Sequence, residues 1–381
     1  MKFQVNKDVL NDAISFVVRL LPQKNTLQIL TGILIEADAN ALRLSVFDYD
    51  ASAQSEVVAK VETSGRVLVS GRLLSDIVNR LPNAPVELAT DGSKLLVTCG
   101  SAKFTLPTME VNSYPVLPEL PPVSGTINGD KFADAVNQVA IAASKEEFGK
   151  PQYKGVFIET SAKKLSLKAT DMYRIATQDV DWAGSANSDG LTALVPARTL
   201  QEVAKTFANQ GEIAISITRS DERAMIAFKA NNRSITSQLI KAEFPSVDQY
   251  MPTAAEHYAV VNTADLIDST KRVSLVIDRD SALKYSFSKS EVNLDGTGQE
   301  TAQASENIAV EVFGEEVVVS LKPQYLIDGL AGTHSEFAKI IFTKSNTPHK
   351  PGPVLITAHS AKDATAVSGY RYLLQPNLLR K

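Results

Sequence analysis

The sequence predicts an α+β chain built from three copies of one unit, each with two helices packed on antiparallel sheets. Length and two sets of recurring segments carry that prediction. At 381 residues the chain is too long for one ordinary core and suits two or three domains. The first set is Val5-Asn6-Lys7-Asp8-Val9-Leu10, Ile127-Asn128-Gly129-Asp130-Lys131-Phe132 and Val261-Asn262-Thr263-Ala264-Asp265-Leu266. Each puts an aliphatic residue before an Asn whose side chain can cap the amphipathic helix behind it. The second set is Val67-Leu68-Val69-Ser70-Gly71, Ala193-Leu194-Val195-Pro196-Ala197 and Val317-Val318-Val319-Ser320-Leu321. Each reads as a short strand running into a helix. Pro196 fits such a start, where the missing N–H costs no helical bond.

Two-residue alternation predicts the strands between. Residues 33–35 lead to 42–46, residues 156–158 to 165–167, and residues 282–287 to 292–294. The turns fall at Asp38-Ala39-Asn40 and at 161–164. The second half of each unit opens on Val86-Glu87-Leu88, Ile213-Ala214-Ile215 or Ala338-Lys339-Ile340. Pro-rich stretches at 117–122 and 251–253 read as linkers. The expected domains are 1–122, 126–253 and 254–381, each with roughly eight strands.

Composition is that of a water-soluble globular protein, with 44% hydrophobic and 22% charged residues. The net charge of −4 argues against a wholly basic nucleic-acid binder, while leaving room for positive charge gathered on one surface. The single cysteine, Cys99, lies in the apolar run Leu95-Leu96-Val97-Thr98-Cys99; it reads as a buried strand thiol in a reducing compartment. The start lacks a signal-peptide apolar core and no uncharged apolar run is long enough to span a bilayer, so a cytoplasmic location is expected.

The densest polar motif is Ala169-Thr170-Asp171-Met172-Tyr173-Arg174-Ile175, which closes an alternating strand. It resembles an active site, but no nucleophile–base pair accompanies it. His257, His334, His349 and His359 have no zinc-ligand spacing, and there is no phosphate-binding or dinucleotide glycine loop. No cofactor and no metal is expected. Asp48, Asp50 and Asp171 stand at strand ends, where turn hydrogen bonding is the ordinary role. Three readings follow: a binding protein, an enzyme using Asp171 and Arg174, or a structural scaffold that never meets DNA.

The triplicated unit, together with Met1-Lys2-Phe3, Thr26-Leu27, Ile29-Leu30, Ala169-Thr170-Asp171-Met172-Tyr173-Arg174, Phe244-Pro245, Tyr250-Met251-Pro252 and Tyr372-Leu373-Leu374-Gln375-Pro376, resembles the bacterial DNA polymerase III beta subunit family over essentially the whole chain. That family implies a non-catalytic processivity factor: a head-to-tail homodimer forming a six-domain ring around duplex DNA. Twelve helices side by side would leave an opening on the order of 20–30 Å. The resemblance also implies partners: the polymerase III alpha subunit, the clamp loader, and other polymerases and repair proteins carrying a short linear motif.

Site residues carry over by position. The peptide-binding pocket would use Tyr153, Thr170, Met172, Tyr173, Arg174, Ile175, Pro245, Tyr250, Leu373, Gln375, Pro376, Asn377 and Leu378, with the guanidinium of Arg174 orienting the peptide. The family commonly has Leu at Tyr153, Gly at Met172, Met at Gln375 and Arg at Leu378, so this chain implies a somewhat different peptide preference; the family also has Pro where Gln28 stands, ahead of a strand. Sequence-independent phosphate contacts would come from Lys24, Arg72, Arg80, Lys150, Gln152, Arg198, Lys205 and Lys322, among further basic residues at Arg19, Lys131, Lys145, Lys271 and Arg272. Ring closure would bring Phe104 and Leu106 of one chain to Leu275 and Val276 of the other. The strand ends matching 170–174 read Phe47-Asp48-Tyr49-Asp50 and Asp295-Gly296-Thr297, so docking is expected on one unit only.

Overall fold

Each of the three aliphatic–Asn openings turns a strand into a helix, and in each the Asn side chain is the cap. Oδ1 of Asn6 accepts from the N–H of Asp8 and Val9, that of Asn128 from Lys131, and that of Asn262 from Asp265. The computed structural model describes residues 1–22, 27–146, 148–218, 224–252, 255–298, 302–344, 352–359 and 369–378; Lys24 lies outside them. The helices are α1 (Lys7–Val18), α2 (Gly71–Asn79), α3 (Gly129–Ala140), α4 (Ala197–Phe207), α5 (Thr263–Val273) and α6 (Pro323–Ala331). The first, third and fifth follow the Asn caps. The others follow the strand-into-helix segments, with Pro196 ending its strand and Pro323 at the first position of α6.

The chain packs as two units. One comprises Met1–Ala133, Trp182–Val195 and Glu202–Leu239, and the other Asp134–Asp181, Pro196–Gln201 and Ile240–Lys381. In the first, α1 buries Leu10, Ala13, Ile14, Phe16 and Val17, and α1 packs beside α2. Cys99 is buried in its strand as expected, with Pro82 and Ala84 carbonyls 3.4 Å from its thiol. In the second unit, Tyr285 is fully buried beneath α5 and its hydroxyl donates to Thr270 (3.3 Å).

The sheets do not stop at the repeats. In the first unit, strand Ala51–Val58 of the first repeat pairs antiparallel with Arg233–Gln238, the last strand of the second, through Ser55↔Arg233 to Ala51↔Ser237. In the second unit, Arg174–Asp181 of the second repeat pairs in the same way with Arg371–Leu374, the last strand of the third, through Arg174↔Leu374 to Thr177↔Arg371. In both cases the lending strand is the third of a three-strand meander, and the receiving strand closes its repeat. The equivalent strand of the third repeat, Gln303–Phe313, pairs with Glu291–Thr297 over 303–309 and with His257–Asn262 over 310–313. Its outer edge over 303–309 has no strand partner among the described residues. The closing strand of the first repeat, Ala102–Met109, has the same open edge over 102–107, since only Thr108 and Met109 pair with Gly65–Ser70.

Candidate functional site

The motif at 170–174 is a hydrogen-bonded turn at the point where the second repeat lends its strand to the third. The Thr170 hydroxyl donates to the Arg174 carbonyl (2.7 Å) and accepts from the Met172 N–H (3.1 Å). Oδ1 of Asp171 accepts from the N–H of Tyr173 (3.0 Å) and Arg174 (3.1 Å), a local side-chain turn of the kind Asp forms readily. Met172 has φ +79°, a left-handed conformation that costs an L-residue energy and glycine little. The first repeat makes the same turn. Oδ1 of Asp48 accepts from Asp50 and Ala51, and Tyr49 has φ +72°. The backbone device therefore recurs, and the second repeat differs in the side chains placed upon it.

Foremost of these is Arg174. Its side chain is 6% exposed and forms two ion pairs, Nε to Asp171 (2.9 Å) and Nη1 to Asp328 (2.6 Å), while Nη1 also donates to the Tyr372 hydroxyl (3.2 Å). The guanidinium lies over the Tyr325 ring, 4.3 Å from its centroid. Burial opposes its charge, but Tyr372, Asp328 and Asp171 outweigh burial and raise its pKa further. Asp328 reaches it because α6 packs against the sheet at Gly329, where a Cβ would stand 2.4 Å from the Tyr372 ring. These donors, Nε and Nη1, point inward and bracket the turn, α6 and the receiving strand together.

Beside this bracket lies a cleft of about 340 Å³. Ten of the carried-over residues line it: Tyr153, Thr170, Met172, Tyr173, Arg174, Ile175, Pro245, Tyr250, Leu373 and Gln375. Beneath, Ile175, Val247, Met251, Ile341, Leu355 and Leu373 form one apolar cluster. Met172, Tyr173 and Tyr250 stand exposed on the rim. The wall segment carrying Pro245 and Tyr250 is tied to the sheet by Phe244, whose ring stacks on Phe157 at 5.0 Å, and by Lys168, whose ammonium bridges Asp248 (2.7 Å) and Glu159 (3.1 Å). Chemically this is an apolar recess with a polar, strand-edged rim, suited to the anchor side chains of an extended or turned peptide.

Three carried-over residues stand apart from the cleft. After Gln375, whose N–H donates to Tyr173 O (2.9 Å), Pro376 is buried, and Asn377 forms a bridge with Ser320. Asn377 and Leu378 instead border a polar depression with Asp278, Asp280 and Asp295. Conversely, Val247 and Pro353 line the cleft without having been singled out. Val247 stands two residues after the Phe244-Pro245 pair that carries part of the resemblance, a signal within reach; Pro353 follows a segment with no motif.

Of the residues carried over for phosphate contact, Arg72, Arg80, Lys150, Arg198 and Lys205 are exposed, and Lys322 and the neutral Gln152 are half-buried. Arg72 donates to the Pro22 carbonyl (3.0 Å), and Lys322 stands 3.8 Å from Asp280. Arg272 is held by Glu306, through Nε at 3.0 Å. Leu275 is exposed and Val276 half-buried; Phe104 is 40% exposed, whereas Leu106 is 1% exposed and faces the first-unit core. Leu106 can therefore contribute to a chain–chain seam through its backbone and not its side chain. Among the described residues no three His, Cys, Asp or Glu side chains gather to hold a metal.

Three copies of a two-helix antiparallel unit, with sheets running on from repeat to repeat and a peptide-sized cleft at one junction, define the DNA clamp fold. The comparisons agree. Family models for the N-terminal, central and C-terminal domains of the DNA polymerase III beta subunit match residues 1–118, 126–246 and 248–368. The chain is 37% identical to the beta sliding clamp of Streptomyces coelicolor over 377 residues, 99% of each chain, and 42% identical to that of Micrococcus luteus over 309 residues, 81% of this chain and 98% of the relative. Among solved structures, the DNA polymerase III subunit beta of Pseudomonas aeruginosa superposes with a TM-score of 0.90 at 22% identity, covering 100% of both chains. Another structure from that organism, at 0.89 and 23%, also covering 100% of both chains, is a sliding clamp bound to griselimycin. The chain belongs to the DNA polymerase III beta subunit family, and its function is that of a sliding clamp.

Proposed function

We propose that two copies of the chain close head to tail into a ring around duplex DNA, slide without sequence preference, and tether the replicative polymerase as a non-catalytic processivity factor in the cytoplasm. The observation that carries this is the strand hand-over. Two of three lending strands already pair with the closing strand of the following repeat. The third lending edge, 303–309, and the first repeat's closing edge, 102–107, are left open, and two unpaired edges of matched role invite pairing between chains. The proposed domains are 1–122, 126–253 and 254–381, with Leu275 and Phe104 beside the seam.

In this reading the cleft at 170–175 receives the linear motif of the polymerase III alpha subunit, the clamp loader, and other polymerases and repair proteins. Arg72, Arg80, Lys150, Gln152, Arg198, Lys205 and Lys322 face the DNA, and Lys24 joins them. Exposed cations that meet phosphate through water attract the duplex without reading bases. Asp171 and Arg174, the pair an enzyme reading would need, are each other's partners. The test is loading onto nicked circular DNA by a bacterial clamp loader. Retention on the circle and loss after linearisation is the expected result; equal retention on both forms would refute topological binding.

A further inference from the structure

We propose that a second cleft on the same sheet face binds the carboxylates of an acidic segment flanking the anchor of the docked peptide; this rests on the peptide reading of the first cleft. The second cleft, of about 250 Å³, is lined by Lys339, Arg371, His359 and Thr357 over an apolar floor of Ile341 and Leu355, and among the described residues no Asp or Glu lines it. Strand register sets these groups together. Lys339 pairs directly with Thr357 on the next strand, and Thr357 with Arg371 on the strand beyond. A nearly buried hydroxyl thus sits between two cations, whose backbones are about 10 Å apart at the usual strand spacing. His359, two residues on from Thr357, shares that face.

Among the described residues the cations are held but not neutralised. The Lys339 ammonium lies 3.9 Å from the centroid of the Tyr258 ring, and Arg371 Nη2 donates to the Pro252 carbonyl (2.9 Å). Neither has a carboxylate within ion-pair distance among the described residues. Asp179, on the strand beside Arg371, accepts a hydrogen bond from the Ser166 hydroxyl (2.6 Å). Two cations and a hydroxyl around a shallow recess fit an oxyanion, and a carboxylate pair from a peptide matches their spread.

Continuity with the first cleft identifies the occupant. Leu373 lines the first cleft, and Arg371, two residues earlier on the same strand face, lines the second. Ile341 and Leu355, the second floor, belong to the apolar cluster beneath the first. Val247 borders one cleft and Pro252 the other, so this short stretch crosses between them. An extended segment of about five residues spans such a crossing. Complementary charge outside an apolar anchor acts chiefly on encounter and is screened by salt.

The experiment uses full-length protein and fluorescence anisotropy at low salt. The probes are a labelled peptide carrying a Leu-Phe anchor pair, and the same peptide extended at either end by Gly-Gly-Gly-Glu-Glu or by five glycines. The glutamate extension at one end is expected to bind about fivefold tighter than its glycine counterpart, a gain typical of exposed charge pairs. Lys339→Gln should remove most of that gain and Lys339→Glu reverse it, with the unextended peptide binding all three proteins alike. Equal affinity of both extensions for the unsubstituted protein, or a gain that survives Lys339→Glu, would overturn the second cleft while leaving the first standing. Failure of the unextended peptide to bind the unsubstituted protein would instead remove the peptide reading, and this proposal with it.

Discussion

Nη1 of Arg174 stands 2.6 Å from Oδ2 of Asp328, although 154 residues separate them in sequence. The pair joins a turn of the second repeat to a helix of the third. Both side chains are nearly buried, and removal of one partner strands the other's charge. Arg174→Ala is therefore expected to cost about 3–5 kcal/mol of stability, read from urea unfolding. Arg174→Met combined with Asp328→Leu should recover part of the loss, since one of the two stranded carboxylates is then gone and only Asp171, which keeps its backbone hydrogen bonds, is left. Equal destabilisation by the single and double variants would refute the ion pair as the cause. A loss of peptide affinity in Arg174→Ala alone is uninformative unless folding is measured beside it.

Met172 holds a left-handed conformation while 63% exposed. Met172→Gly should raise stability by about 1 kcal/mol, the relieved backbone strain outweighing the added chain freedom, and Met172→Val should lower it. Thermal melts of the three proteins check the order.

The rim aromatics Tyr173 and Tyr250 are each 57% exposed, so their truncation disturbs little packing. Tyr173→Ala and Tyr250→Ala should each weaken an anchor peptide about tenfold, as interface tyrosines commonly do, with unfolding midpoints unchanged. Calorimetric titration decides; undiminished affinity in both would move the docking site elsewhere.

Leu275 is 84% exposed, whereas Leu106 is almost wholly buried. Leu275→Lys should lower self-association in sedimentation velocity without altering the stability of the isolated chain. Leu106→Arg should unfold the first unit, and is the wrong probe of the seam.

Glu306 has its carboxyl held down to about 2 by Arg272 and the Ser269 hydroxyl. A depressed carboxyl stabilises the fold above its unfolded value near 4.5, and that contribution is lost as pH falls through about 2. The melting difference between the unsubstituted protein and Glu306→Gln should thus be full at neutral pH and vanish in strong acid. A difference independent of pH would refute the linkage.

The Asn caps, the strand-into-helix corners and the alternating strands could be read from the chain because each is a local pattern with a local cause. The residues of the cleft followed from resemblance, and ten of them meet there. What escaped reading was long-range. Nothing near Arg174 announces Asp328 or Tyr372, because the contacts depend on how close Gly329 lets a helix approach a sheet. Asn377 and Leu378 leave the cleft because the chain bridges to Ser320 beyond Pro376. The recurrence of the Asp171 turn at Asp48 was within reach, since both aspartates stand at matching strand ends where turn hydrogen bonding is the ordinary role.

The lending of strands from repeat to repeat has a mechanical consequence. In a closed pair of chains, six seams of one hydrogen-bonded kind would share the load, but four of them join segments of a single polypeptide. Those four re-form at the local concentration imposed by their linkers, on the order of millimolar for short connections. The two between chains re-form only at the concentration of the protein itself. Seams of similar intrinsic strength would then part equally often but re-form unequally, and a ring closed in this way would open at its chain boundaries with no weaker contact having been built there.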